Sequence, residues 1–181
     1  MMKTYEWYKA LTRPTCMVIG GLLLAGCSGA SPHTERPFSG AVGTTPLRTP
    51  ETKTEAALRA YEAMWRDLAR ASETSDAGSP LLDDHATGGA LELMRYGLRK
   101  SKKEQVVGRG RPVAHPEVVA ATSRKVVLVD CVDERHWLQY RLDGELRNDV
   151  PGGHFRADAT VRRSSAGWQV TDLYMQQAGS C

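Results

Sequence analysis

Apolar side chains recur at helical spacing in the segment that follows residue 50. They are separated by three, four and three residues, which is typical of one helix face. These residues are Leu58, Tyr61, Trp65 and Leu68. The helix has two candidate starts, a Thr-Pro-Glu turn at 49–51 and a capping box over 52–55. Two shorter helices are predicted at 81–85 and 90–103, with a Gly-Gly pair between them.

From residue 105 onward the pattern changes to that of strands. Extended segments are predicted at 106–113, 118–121, 125–133, 137–142, 154–163 and 168–175. Residues 126–129 are apolar at every position, which favours a central strand. Apolar and polar residues alternate over 154–161, which is typical of a half-buried strand. Three helices followed by a meander of five or six strands indicate the α+β class.

Several local residues, taken with this order of elements, resemble the NTF2-like superfamily, the cone shared by SnoaL-type cyclases, ketosteroid isomerase and scytalone dehydratase. They are Asp130-Cys131 on a strand, Gly152-Gly153 before the long hairpin, Gly167-Trp168 and the terminal Gly179-Ser180-Cys181. Within the superfamily, the chain resembles NTF2-like lipoproteins of actinobacteria, a group without an assigned activity. Over residues 51–181 the resemblance implies N-terminal helices packed on a curved, mostly antiparallel sheet. Because enzymes and binding proteins share this fold, it implies no particular function.

The first 26 residues have the pattern of a secretory leader. A basic start is followed by an apolar run at 17–25, about half of the roughly 20 residues that span a bilayer. The sequence Leu24-Ala25-Gly26-Cys27 resembles the lipobox of bacterial lipoproteins. The resemblance implies cleavage between Gly26 and Cys27 and a diacylglyceryl group on the Cys27 thiol. We therefore expect a lipid-anchored protein on the extracytoplasmic face of the cell membrane.

A tether is predicted between the anchor at Cys27 and the domain. Proline, glycine, serine and threonine supply 14 of the 23 residues at 28–50, and no structural period appears. A coil of this length spans roughly 25–30 Å.

Composition changes the picture only slightly. The chain has 181 residues, 41% hydrophobic and 25% charged, as expected for one soluble domain. The net charge of +3 falls to +1 without the leader, which holds three basic residues and one acid. No nucleic-acid partner is therefore predicted. The segment 108–110 (Gly-Arg-Gly) lacks the Lys-Ser/Thr of a phosphate loop, and no cofactor or metal site is predicted.

Two cysteines, Cys131 and Cys181, remain in the domain. Outside the cytoplasm such a pair is normally oxidised, so a structural disulfide is predicted. A metal pair or a redox couple is the alternative, although the sequence has no CxxC spacing.

Candidate pocket residues follow from pairing the last two strands. If Arg163 faces Trp168, Asp172 and Tyr174 fall on the apolar face, where Asp172 would be a desolvated general base. A slip of one residue would move both to the other face. Trp65, Trp168 and Tyr174 are the predicted pocket walls. Asp130 is expected to bond nearby backbone, and Asp133-Glu134 is expected in a solvated turn.

Three hypotheses of function remain open. The first is a non-enzymatic module that holds a hydrophobic small molecule or docks an envelope protein. The second is a SnoaL- or isomerase-like enzyme with Asp172 as base and Tyr174 beside it. The third is a structural partner that forms a sheet-to-sheet homodimer.

Overall fold

The computed structural model describes residues 51–147 and 152–181 of the chain. Within these ranges, three helices precede six strands. The helices are α1 (Lys53–Ser72), α2 (Leu81–His85) and α3 (Gly88–Lys103). The strands are β1 (Val106–Gly110), β2 (Glu117–Ala121), β3 (Lys125–Asp133), β4 (Trp137–Arg141), β5 (His154–Ser164) and β6 (Gly167–Met175). This order confirms the α+β class, and the bounds differ from the predicted ones only at element ends.

The predicted leader and tether lie outside the described residues. Gly26 and Cys27, the predicted cleavage and lipidation residues, therefore also lie outside the described residues. In the described part, no helix combines the length and the apolar character that a membrane crossing requires.

The strands form two separate antiparallel sheets, so the predicted single meander is wrong. Four strands pair in the order β2-β3-β5-β6, while β1 and β4 form a two-stranded ribbon. After a short turn β4 does not return along β3 but pairs with β1. The turn is closed by the Trp137 amide, which donates to the Glu134 carbonyl oxygen at 2.8 Å. The ribbon then stands beside the helices.

The helices bury their apolar faces against one face of the four-stranded sheet. α1 begins with the predicted capping box, and its residues Tyr61 and Trp65 are almost fully buried. Strand side chains alternate between the two faces of a sheet, and every second residue of β3 points towards the helices. These inward residues are Val126, Leu128, Asp130 and Val132. β3 is a central strand, as predicted.

The hairpin of β5 and β6 follows the predicted register only over its first half. Arg163 pairs with Trp168 and Val161 with Val170, as expected, but a bulge then shifts the pairing by one residue. Asp172 and Tyr174 therefore lie exposed on the outer face, and their predicted place in the interior is wrong. The bulge follows the point where the Thr87 amide donates to the carbonyl oxygen of Val170 at 2.9 Å. The segment before α3 is thus hydrogen-bonded to β6, which is an edge strand of the sheet. Bulges are concentrated at sheet edges.

The predicted disulfide between Cys131 and Cys181 is confirmed. It joins β3 to the last residue across a sequence separation of 50. The tail after β6 is bonded to β5 as well, since the Gly179 amide donates to the His154 carbonyl oxygen at 2.7 Å. The disulfide and this hydrogen bond therefore both hold the tail against the sheet.

Candidate ligand pocket

A cavity of about 410 Å³ opens between α1, α3, the β1–β4 ribbon and the end of β6. Its volume lies in the range of small-molecule sites. About half of its lining residues are apolar. The apolar wall consists of Trp65, Leu68, Leu93, Met94, Leu98, Trp137, Leu138, Leu173 and Met175. Leu173 belongs to this wall because of the β6 bulge, which turns it inward in place of Asp172.

The ribbon closes against α1 through one side-chain hydrogen bond. The Trp137 indole Nε1 donates to Ser72 Oγ at 3.1 Å, and Ser72 Oγ donates to the Ala69 carbonyl oxygen at 2.6 Å. This close approach requires glycine at position 108, since a Cβ there would overlap both Ser72 Oγ and Trp137 Nε1. The glycine-rich segment of β1 thus shapes the cavity wall and fixes the Trp137 ring in it.

An ionic cluster lies at the C-terminal end of α3. Glu104 forms an ion pair with Arg147, with 2.8 Å between Oε2 and Nη2. Lys100 Nζ lies 3.9 Å from the other oxygen of Glu104. All three residues line the cavity, so one carboxylate there is shared by two cations.

A second carboxylate, Glu134, reaches the cavity from the turn after β3. It is half-buried, and burial raises the pKa of its carboxyl group. Its backbone is fixed, because its amide donates to the Gly153 carbonyl oxygen at 3.0 Å. A Cβ on Gly152 would overlap Glu134, so the glycine pair predicted before the hairpin packs directly against this residue. Unlike Glu104, Glu134 has no ion pair among the described residues.

Glu134, which the sequence predicts in a solvated turn, lines the cavity instead. The sequence of β3 does not alternate between apolar and polar residues, so only its burial in the structure locates Glu134. The inward residues of β3 have even numbers, and 134 is the next even position after Val132. The alternation therefore continues for one step beyond the strand, where the sheet ends and the cavity begins.

A third carboxylate, Asp130, is sealed in the core. It is 2% exposed, and its Oδ1 accepts the His115 amide at 2.9 Å, which confirms the predicted backbone bond. Three neighbouring buried atoms have no partner among the described residues: Asp130 Oδ2, the Tyr61 hydroxyl and the Trp65 indole nitrogen. Burial raises the pKa of Asp130 and that of Tyr61. Asp130 does not line the cavity.

The structure brings one of the three predicted wall residues to the cavity. Trp65 lines it, whereas Trp168 and Tyr174 are not among its described lining residues. Asp172, the predicted base, instead accepts a hydrogen bond from the Thr171 hydroxyl at 2.7 Å on the outer face. Its carboxylate therefore lies away from the cavity.

No protein-family model and no curated protein matches this chain. Among solved structures, the chain is similar to the intermembrane space region of the chloroplast protein ARC6. The TM-score is 0.51 at 14% identity, over 71% of this chain and 100% of that one. At this identity the likeness concerns the fold alone.

Two further solved structures are similar over about the same share of the chain. One is a putative aromatic ring hydroxylase from Novosphingobium aromaticivorans, at TM-score 0.49 and 16% identity, over 70% of this chain and 91% of that one. The other is Aln2 from a Streptomyces species, at TM-score 0.47 and 10% identity, over 72% of this chain and 94% of that one. Such identities concern the fold alone, so the function has to be argued from the pocket.

Proposed function

We propose that this NTF2-like domain is a binding module that encloses a small hydrophobic molecule in its cavity. The observation that carries the proposal is the cavity itself, whose apolar lining residues include two tryptophans, Trp65 and Trp137. Burial of apolar surface contributes about 25 cal/mol for each Å² removed from water. A flat guest of naphthalene size would therefore bind through shape and apolar contact alone.

The proposal includes a membrane anchor at Cys27, on the extracytoplasmic side. The lipobox-like sequence supports it, and so does the Cys131–Cys181 disulfide, because such bonds persist in oxidising compartments. Two acyl chains are enough for stable anchoring, whereas one chain binds only marginally. The tether at 28–50 would let the cavity stand clear of the lipid headgroups.

The binding proposal is tested by titrating the purified protein with prodan, a neutral fluorescent naphthalene. We expect saturable binding of one molecule per chain. Gly97→Trp should abolish it, because residue 97 lines the cavity and a Cβ there meets no atom within 4 Å. Tyr96→Trp is the matched control, since Tyr96 is 62% exposed and lies outside the lining. Equal binding by both variants would contradict the proposal.

The anchor is tested separately by Cys27→Ser. We expect the wild-type protein in the membrane fraction and labelled with fed palmitate, and the variant in neither state. Retention of the variant in the membrane fraction would contradict an anchor at Cys27. Native mass spectrometry on the same samples tests the predicted homodimer and envelope-protein contacts, which stay predictions.

The second candidate function is an enzyme in which Glu134, instead of Asp172, is the general base. Asp172 lies outside the cavity, but Glu134 lines it, and its raised pKa suits a general base. Exchange of the α-protons of 2-tetralone into D₂O tests this candidate by NMR. Acceleration by the wild type that is lost in Glu134→Gln would favour the enzyme, and an unaccelerated rate with bound 2-tetralone would favour the binding module.

A further inference from the structure

The two carboxylates of the cavity differ in what they touch. Glu104 has Arg147 at 2.8 Å and Lys100 at 3.9 Å, so its charge is fully matched. Glu134 has neither a cation nor a hydrogen-bond donor on its carboxylate among the described residues. Its nearest basic neighbour along the chain, Arg135, is already paired with Asp133 at 2.7 Å.

A half-buried carboxylate without a partner carries a free-energy cost of desolvation. A cation that pairs with it offsets this cost. The cavity wall supplies two cations, Lys100 and Arg147, and both are engaged with Glu104. A positive group at Glu134 would therefore have to come with the guest. An ammonium group does this well, because a charged hydrogen bond between nitrogen and carboxylate is about twice as strong as a neutral one.

The surroundings of Glu134 suit the rest of such a molecule. Trp137 lines the same cavity three residues along the chain, and an indole ring attracts cations through its face. Met94 and Leu98 of α3 supply apolar surface in the same wall. The site thus combines a lone carboxylate, an aromatic ring and a hydrophobic wall.

We propose that the cavity selects hydrophobic amines, with the protonated nitrogen paired to Glu134 and the apolar body packed against Trp137 and α3. This inference rests on the proposed binding function and names the class of its ligand. It assigns to Glu134 the selection of the ligand by charge.

The experiment compares two probes of the same shape by calorimetry at pH 7.5. They are 2-(1-naphthyl)ethylamine, which is protonated, and 2-(1-naphthyl)ethanol, which is neutral. We expect the wild type to bind the amine about tenfold more tightly than the alcohol. Glu134→Gln should lower amine affinity to that of the alcohol and leave alcohol affinity unchanged, which shows that the cavity is intact. Asp172→Asn, the matched control, removes a carboxylate on the outer face, outside the cavity lining, and should keep the preference for the amine.

The outcomes separate this inference from the proposed function. Equal affinity of the wild type for both probes, or a preference that survives in Glu134→Gln, would overturn amine selection while the binding module stands. Failure of both probes to bind the wild type would overturn the binding module, and amine selection with it. An amine preference that is also lost in Asp172→Asn would show that the selection does not depend on Glu134 and would overturn its role.

Discussion

Asp130 and Glu134 lie four residues apart on one inward-facing series, yet their surroundings differ completely. Burial raises the pKa of both carboxyl groups. Asp130 is 2% exposed between α1 and the sheet and bonds the His115 backbone. Glu134 stands where the sheet ends and lines a cavity of about 410 Å³. A perturbed pKa therefore indicates a candidate site only where the group can also meet a ligand.

The largest expected effect concerns the disulfide that joins the tail to β3. For a loop of this length, Cys181→Ser should lower the free energy of unfolding by about 4 kcal/mol, because the unfolded chain gains entropy. Urea denaturation measures the change. Cys131→Ser with Cys181→Ser should cost no more than one of them alone, and additive losses would contradict the shared bond.

The same variant sharpens the comparison between the two regions. The tail bonds His154, and the neighbouring Gly153 carbonyl accepts the Glu134 amide. Hydrogen exchange in Cys181→Ser should therefore accelerate more at the Glu134 amide than at the Asp130 amide. Equal acceleration would mean that the tail supports both regions alike.

An effect of intermediate size on stability is expected when the buried carboxylate of Asp130 is replaced. Asp130→Asn keeps an oxygen for the His115 amide and should raise stability at pH 7 by about 1 kcal/mol, because an unmatched buried charge is lost. A carboxyl group whose folded pKa is raised stabilises the fold below its unfolded pKa, and that contribution disappears as pH rises through the folded value. The variant's advantage should thus be absent at low pH and grow as pH rises above about 4. Urea midpoints across this range measure it, and a constant advantage would contradict burial of the charge.

The smallest expected effect concerns the edge of the cavity. Gly97→Ala should raise stability by about 0.5 to 1 kcal/mol, since alanine suits a helix interior and its Cβ meets no neighbour. Thermal unfolding measures the change. A loss of stability would show that residue 97 faces packed atoms instead of open space.

The sequence predicted the parts of this fold that local physics decides. Helical spacing identified α1, a continuous apolar run identified β3, alternation identified β5, and the export pattern identified the Cys131–Cys181 pair. Asp172 and Tyr174 were misplaced because a bulge at the edge of the sheet depends on a contact with Val170 from the segment before α3. No local pattern in β6 encodes that contact.

The pocket was harder to predict because distant segments build it. The pairing of β1 with β4 brings Gly108 against Ser72 and Trp137, and these residues come from three different elements. Trp65 was identified from its helix face alone. To predict Glu134, the alternating burial of β3 would have to be extended past the end of the strand, and the cavity there would have to be known.

The most direct test of the binding account observes the indole N–H signals of Trp65, Trp137 and Trp168 by NMR during titration with 2-(1-naphthyl)ethanol. Trp137→Phe and Trp168→Phe assign the signals. The account predicts saturable shifts at Trp65 and Trp137, which line the cavity, and a fixed signal at Trp168, which does not. Shifts at Trp168 alone, or no shift at any of the three, would contradict it.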